Sequence, residues 1–296
     1  MALRTVKVCS GIGDVIWILQ KLINTGEKFN FYLPDGQPRR GKQVFDLLPA
    51  VAVSATYIPG LSYRILAANN IQTEYREWNQ IKAQSFHLSC NDWLERGHRL
   101  EGFFPDLPLS FKLPWVIGPS IKAQVLWDFD INPDNVFIGI YGSSYSTARA
   151  WKEHGAWGAS EWLELIRLIH KERPKAVFVI IGAEWDLDLA GELQGALIAA
   201  DIPHISTVGK ELAYVMEVMK ILSYGFYFPS GLPILSETIV GASDCLMFYG
   251  SNLTKMMGSW CDPERRADGR FKECLFCAPE AVHDWVKDVY CLYDKI

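Results

Sequence analysis

The stretch VCSGIGDVIWILQKL, residues 8–22, decides how this chain is read. Val8 closes a short apolar run, Gly11 and Gly13 interrupt it, and Asp14 opens a segment whose Val15, Ile18, Leu19 and Leu22 share one helical face. Strand, glycine loop and amphipathic helix in that order are the first step of an alternating α/β chain with a parallel sheet. Glycines without a Cβ let backbone approach a ligand closely, and the loop delivers a carboxylate to a helix start. Asp14 thus has two readings: a first-turn carboxylate stabilising the helix by about 1 kcal/mol, or a group that does chemistry.

The same alternation runs on in both directions. Residues 5–9 read as the strand before the loop, FNFYLP as a second strand, GKQVFDLLPAV as a helix and VSATYIP as a third strand. Residues 71–119 blur into aromatic, proline-punctuated loops of the kind that carry recognition. Prolines, a glycine and the acidic DFDINPD between 113 and 133 mark a boundary. Beyond it VFIGIYG and AVFVIIG read as buried strands around the amphipathic helix ASEWLELIRLIHKERP. The alternation continues through HISTVG, LAYVMEVMKIL, YGFYFPSG, LPILSETIVG and CLMFYG to a last helix in APEAVHDWVKDVY. Two α/β lobes are expected, residues 1–125 and 126–296, the last helix being free to pack back on the first lobe.

Size agrees, since 296 residues at 49% hydrophobic exceed the usual single core. The chain shows no run of about eighteen apolar residues, and its start lacks a basic-then-apolar leader pattern, so a soluble cytoplasmic protein without a transmembrane segment is expected. A net charge of −5, with the acid excess in the second half, argues against a mainly electrostatic nucleic-acid binder. The near-neutral first half carries the cluster Arg39-Arg40-Gly41-Lys42, which reads as a solvated loop or as a contact to an anionic acceptor. Seven cysteines read mostly as reduced core thiols. Cys274 and Cys277 have zinc-knuckle spacing, but Cys261 and His283 complete the set too irregularly for a metal expectation.

Several familiar nucleotide motifs are absent. Ile16 stands where a dinucleotide fingerprint needs its third glycine, and no G-K-[ST] triplet occurs, which argues against a dehydrogenase and a P-loop enzyme. Four other features fall after expected strands, where parallel sheets bind ligands. GIGD is the first. YGSSYSTARAWKE is the second, with Ser143, Ser144 and Thr147 as phosphate donors and Arg149 and Lys152 as cations. VIIGAEWDLD is the third, placing Glu184 where a ribose hydroxyl would lie. YFPSGLPILSE is the fourth: Ser230, Gly231 and Leu232 open a helix whose N-H groups suit a diphosphate, and Glu237 follows one to two turns on. Each taken singly also reads as an ordinary strand-to-helix turn. Asn91 and Asp92, in the aromatic loop FHLSCNDWLERGHRLEGFFPDLP, are candidates on the acceptor side.

In order, SGIGDVIWILQKL, GSSYSTARAWKE, FVIIGAEWD and FPSGLPILSETIVGASDCLMFYG resemble the pattern of glycosyltransferase family 9, the ADP-heptose lipopolysaccharide heptosyltransferases. The resemblance implies a GT-B fold, two Rossmann-like lobes facing a cleft, and sugar transfer with inversion and without a metal. It implies that Asp14 is the base, that Arg149 or Lys152 binds the donor diphosphate, that Glu184 holds the ribose, and that Ser230 and Gly231 stand in the family's D-[ST]-G-x-x-H loop. Pro229 replaces that loop's aspartate and Ile234 its histidine, so the heptose is not carried over. The variant is similar to a divergent branch that includes phage-encoded members.

The expected activity is therefore transfer of a sugar from a nucleoside diphosphate to an acceptor hydroxyl, with no cofactor required. The acceptor is a saccharide or, alternatively, a hydroxymethylated pyrimidine in DNA stacked among the aromatic loops. A non-catalytic nucleotide-sugar-binding protein and a sugar-nucleotide epimerase are the other readings. Two D-x-D triplets, Asp128-Phe129-Asp130 and Asp186-Leu187-Asp188, are read as solvated or capping carboxylates rather than metal ligands.

Overall fold

The computed structural model describes residues 4–8, 12–34, 40–49, 51–58, 84–86, 107–108, 110–131, 135–142, 157–228, 230–241, 244–249, 264, 271–275 and 278–290. It divides into two compact units, Met1–Val116 with Glu237–Val240, and Ile117–Ser236 with Gly241–Ile296.

The first unit contains β1 (Arg4–Val8), α1 (Ile12–Leu22), β2 (Lys28–Pro34), α2 (Arg40–Leu47), β3 (Ala52–Ile58) and β4 (Gln84–Phe86). Its sheet is parallel in the order β3-β2-β1-β4. The strands form because every second residue of β2, Phe29, Phe31 and Leu33, is buried, and Phe31 meets Phe45 of α2 edge to face at 5.1 Å between centroids. Helix α1 starts two residues before Asp14 and is buried well beyond the expected stripe, Val15 to Lys21 included. Buried Lys21 is bonded, its Nζ donating to Leu107 O at 3.0 Å, and one further contact is made by backbone alone, Ser110 N-H donating to the Gln20 main-chain carbonyl at 2.8 Å. Strand β4 lies where sequence suggested loop. Its three residues are too few to show a period.

The second unit contains α3 (Pro119–Phe129), β5 (Val136–Tyr141), α4 (Ala159–Glu172), β6 (Ala176–Ile180), a 3-10 turn (Glu184–Asp186), α5 (Leu187–Ala199), β7 (His204–Ser206), α6 (Leu212–Ile221), β8 (Tyr224–Tyr227), α7 (Gly231–Thr238), β9 (Asp244–Tyr249), β10 (Phe271–Leu275) and α8 (Pro279–Tyr290). The six strands are parallel in the order β10-β9-β8-β5-β6-β7. Ile138, Ile140, Phe178, Ile180 and Phe226 of the central strands pack with Trp162, Leu165, Ile166 and Ile169 of α4 in one apolar core.

The unit division at 116/117 falls inside the stretch 113–133 read as a boundary, and helix α3, which the sequence reading did not place there, fills much of the rest. Pro119 supplies the fixed φ of a first helical residue, Val125 and Phe129 are buried, and Asp130 ends the helix at φ 42°. Leu126 and Trp127 are exposed on it, so its apolar pattern misreports the buried face. Asp128 Oδ2 accepts from the Tyr214 hydroxyl of α6 at 2.8 Å; burial, this bond and the charge of Asp128 push the phenol well above its ordinary range. The unit division at 116/117 puts α3 wholly in the second unit.

The last helix clusters with the second unit. Helix α8 packs on α4, where Lys287 pairs with Glu172 and buried His283 holds Nε2 3.6 Å from the same carboxylate. The residues that rejoin the first unit are Glu237–Val240. Lys112 Nζ donates to Glu237 O at 2.7 Å, Leu113 N-H to Thr238 O at 3.0 Å, and Trp115 Nε1-H to Thr238 Oγ1 at 3.0 Å.

Helix α4 is closed at its start by its own side chain. Glu161 Oε2 accepts from Gly158 N-H at 2.9 Å and from Ser160 Oγ at 2.9 Å. Partial burial works to raise this carboxyl, but the hydrogen bonds from backbone and Ser160 outweigh it and hold the group below its ordinary value. A depressed folded value means the contribution is complete above the unfolded value of about 4.3 and disappears as pH falls through the folded one. Glu161→Gln is expected to cost about 1 kcal/mol at pH 7 and progressively less below pH 4. Urea unfolding of both proteins at the two pH values checks this; a cost that does not depend on pH rules out the charged cap.

Candidate active site

Both sheets share a feature that no motif announces. In the second unit the chain leaves β5 toward β6 on one flank and leaves β8 toward β9 on the other, so the segments after these adjacent strands diverge. Such a switch point at the carboxyl ends of parallel strands opens a crevice for a ligand. The strand ends are level: Tyr141 pairs with Tyr227, Phe228 N-H donates to Tyr141 O at 2.7 Å, and Ile181 N-H donates to Ile140 O at 2.8 Å. In the first unit β1 and β4 are the corresponding pair, with β2 and β3 on the far side of β1.

The sequence candidates follow these strands. Asp14 and Gly13 lie in the first turn of α1, directly after β1, with Gly13 buried; of Asp14 the backbone alone is described. Gly11, and Asn91 and Asp92 after β4, lie outside the described residues. Ser143, Ser144, Thr147, Arg149 and Lys152, in the segment after β5, also lie outside them. Gly142, which begins that segment, is described. A Cβ there would come within 2.9 Å of both Trp162 Nε1 and Leu189 Cδ2, so only glycine lets the chain leave β5 this close to α4 and α5.

After β8, Ser230, Gly231 and Leu232 form the start of α7. Ser230 Oγ accepts from Leu232 N-H at 3.2 Å, so the hydroxyl caps the helix and retains its own hydrogen to donate. Pro233 has no N-H. The donors this turn can direct at an anion are therefore Gly231 N-H and the Ser230 hydroxyl, fewer than the sequence reading allowed. Glu237 does not join them. It lies about 9 Å along the axis from Gly231, at the other end of α7, buried and clustered with the first unit.

Glu184 is exposed at the first position of the 3-10 turn after β6, beside the β5 side of the switch point. Two residues on, Asp186 is 4% exposed, and its Oδ2 accepts from Ala183 N-H at 2.8 Å. This is the capping role read for the second D-x-D triplet, and the Tyr214 bond accounts for Asp128 of the first. In the irregular cysteine set, Cys274 falls in β10, a strand sequence did not indicate, and pairs in register with Phe248; Cys261 and Cys277 lie outside the described residues. His283 faces Glu172. Among the described residues no cluster of His, Cys, Asp and Glu is arranged to hold a metal, and no helix is long and apolar enough to cross a membrane.

No family model and no curated protein matches the sequence. Solved structures do match the fold. The ADP-heptose lipopolysaccharide heptosyltransferase II of E. coli superposes with TM-score 0.61 at 11% identity, covering 98% of this chain and 99% of that one. The fold is of the GT-B type. A second E. coli heptosyltransferase, WaaC solved with ADP, shares it at TM-score 0.53 and 15% identity over 99% of this chain and 100% of that one. So does a UDP-GlcNAc 2-epimerase of Neisseria meningitidis bound to UDP-GlcNAc, at TM-score 0.56, 13% identity, and 99% and 94% coverage. At these identities the GT-B likeness describes architecture. Two Rossmann-like units, each with a switch point between its first and fourth strands, are the common element within this chain.

Proposed function

We propose that the chain is a glycosyltransferase that moves a sugar from a nucleoside diphosphate to an acceptor hydroxyl, with inversion and without a metal ion. The observation carrying this reading is the coincidence of sequence and topology: GIGD follows the strand at one switch point, and the hydroxyl-rich and SGLP segments follow both strands at the other. The GT-B likeness over nearly the whole chain supports it. Asp14 takes the acceptor proton as that oxygen attacks the anomeric carbon, and the bond from that carbon to the diphosphate oxygen breaks with its electron pair leaving on phosphate. Gly231 N-H, the Ser230 hydroxyl and Arg149 or Lys152 stabilise the departing charge. Glu184 accepts from the donor ribose.

The acceptor side is the first unit, with Asn91 and Asp92 as contacts. A saccharide is the acceptor this reading favours. Resemblance to the branch with phage-encoded members makes hydroxymethylated DNA the alternative outcome of an acceptor screen. The epimerase likeness supports a second reading, in which the donor is converted with no acceptor present.

Thermal shift with a panel of nucleoside diphosphates and their sugars, with and without EDTA, tests the donor site first. One nucleotide series at about 100 times its Kd is expected to stabilise by roughly 2.7 kcal/mol, equally in EDTA. Stabilisation that vanishes with EDTA overturns metal independence. No response to any nucleotide overturns the donor site, and turnover of the sugar nucleotide to an isomer without acceptor replaces the transferase by the epimerase.

A further inference from the structure

We infer that Asp186 is a positioning residue for nucleotide recognition, acting through Glu184; the inference rests on the donor reading of the second unit. Between β6 and α5 the chain must turn while exposing one carboxylate and burying another two residues later. The buried one closes the turn. Asp186 Oδ2 accepts from Ala183 N-H at 2.8 Å, while Asp186 N-H donates back to Ala183 O at 2.8 Å, so both ends of the Ala183–Asp186 span are tied across Glu184. An exposed side chain in a turn samples many rotamers, and tying its backbone removes the part of that freedom that decides where the carboxylate points.

The tie is anchored to the sheet. A Cβ on Gly182 would lie 3.0 Å from Asp186 Cβ and 3.3 Å from Oδ2 and from Val208 Cγ2, so the Asp186 side chain rests against bare backbone at Gly182. Gly182 O in turn accepts from Gly209 N-H at 3.2 Å, and Thr207, fully buried, donates through both N-H and Oγ1 to Ile180 O at 2.9 and 3.2 Å. The end of β6, the turn bearing Glu184 and the segment after β7 are thus one hydrogen-bonded block. Gly209, at φ 77°, is the residue that lets the last of these segments turn back to Gly182. Serving only as a helix cap, Asp186 would influence stability; bonded to Ala183 across Glu184, it also determines which hydroxyls of a bound nucleotide find a carboxylate.

The test compares binding of the stabilising ribonucleoside diphosphate and of its 2′-deoxy analogue, by calorimetry, in wild type, Glu184→Ala, Asp186→Ala, Asp186→Asn and the Glu184→Ala/Asp186→Ala double variant. Asp186→Ala is expected to weaken the ribonucleotide about tenfold, to erase its advantage over the deoxy form, and to change kcat less than twofold. Asp186→Asn keeps an oxygen for Ala183 N-H and is expected to restore most of the affinity. The double variant is expected to bind no worse than Glu184→Ala alone. Full additivity in the double variant, or intact ribonucleotide preference in Asp186→Ala beside a weakened Glu184→Ala, overturns the inference. Glu184→Ala without effect overturns the donor reading of Glu184 itself. Melting temperatures of the unliganded variants separate a fold defect from a recognition defect, and Asp186→Asn carries the test should the alanine variant not fold.

Discussion

Asp14→Asn is expected to lower sugar transfer by about 10²–10⁴-fold, the usual worth of a positioned general base, and to leave nucleotide affinity within twofold. The separation follows from the fold: Asp14 stands in the first turn of α1 after β1, in the first unit, whereas the residues proposed for the nucleotide follow β5, β6 and β8 in the second. Asparagine preserves size and is tolerated at helix starts, so helix α1 should lose at most a few tenths of a kcal/mol. The pH profile supplies an independent reading. Transfer by the wild type should fall toward low pH as the base takes up a proton, and that limb should be missing from the residual activity of Asp14→Asn. A variant that retains more than a tenth of wild-type turnover would show that Asp14 is a helix-start carboxylate and nothing more.

Gly225→Ala is expected to destabilise the second unit by about 3 kcal/mol, a fall in Tm of about 6–12 °C. Gly225 sits in β8 between β5 and β9, directly opposite Gly139. A Cβ at this position would fall 2.2 to 2.5 Å from Cε2, Cζ and the hydroxyl oxygen of Tyr227, whose ring folds back over the bare backbone two residues earlier on the same face. The ring is fully buried and rigid, so it cannot swing aside as the end of a flexible chain would. In a Tyr227→Ala background the added methyl has room, and the cost of Gly225→Ala should shrink to about 1 kcal/mol. Equal costs in both backgrounds would show that the ring is not the cause.

How far the sequence could be read depends on the element. Helices α4 and α6 and strands β5, β6 and β8 were legible because each buries a long apolar set of the right period, or a continuous run, between clear stops. Strands β4 and β10 were not, and for different reasons. Gln84–Phe86 is too short to show alternation, and β10 mixes Lys272, Glu273 and Cys274 at the sheet edge, where burial on both faces is not required. Helix α3 was hidden by Leu126 and Trp127, apolar residues that point to solvent. Among the candidate site residues, Asp14, Glu184, Ser230 and Gly231 could be picked out because carboxylates, hydroxyls and glycines after strands are locally recognisable. Gly142 and Asp186 could not, because what makes them matter is a neighbour far along the chain, Trp162 and Leu189 for one, Gly182 and its anchoring to Gly209 for the other.

Local chemistry, then, belonged to the sequence: the alternation of strands and helices, the division into two α/β halves, and the choice of strand-end loops proposed for a phosphate or a sugar. These follow from period, turn residues and helix-start donors, which act over a few residues. Strand order is a different kind of fact. That β5 lies beside β8 and β1 beside β4, that Glu237 is buried with the first unit while Ser230 caps the helix start in the second, and that α8 packs on α4 were decided only in the tertiary structure. The reason is physical: pairing between strands many residues apart is chosen by which apolar faces can be buried together, and that competition is settled by the whole chain at once.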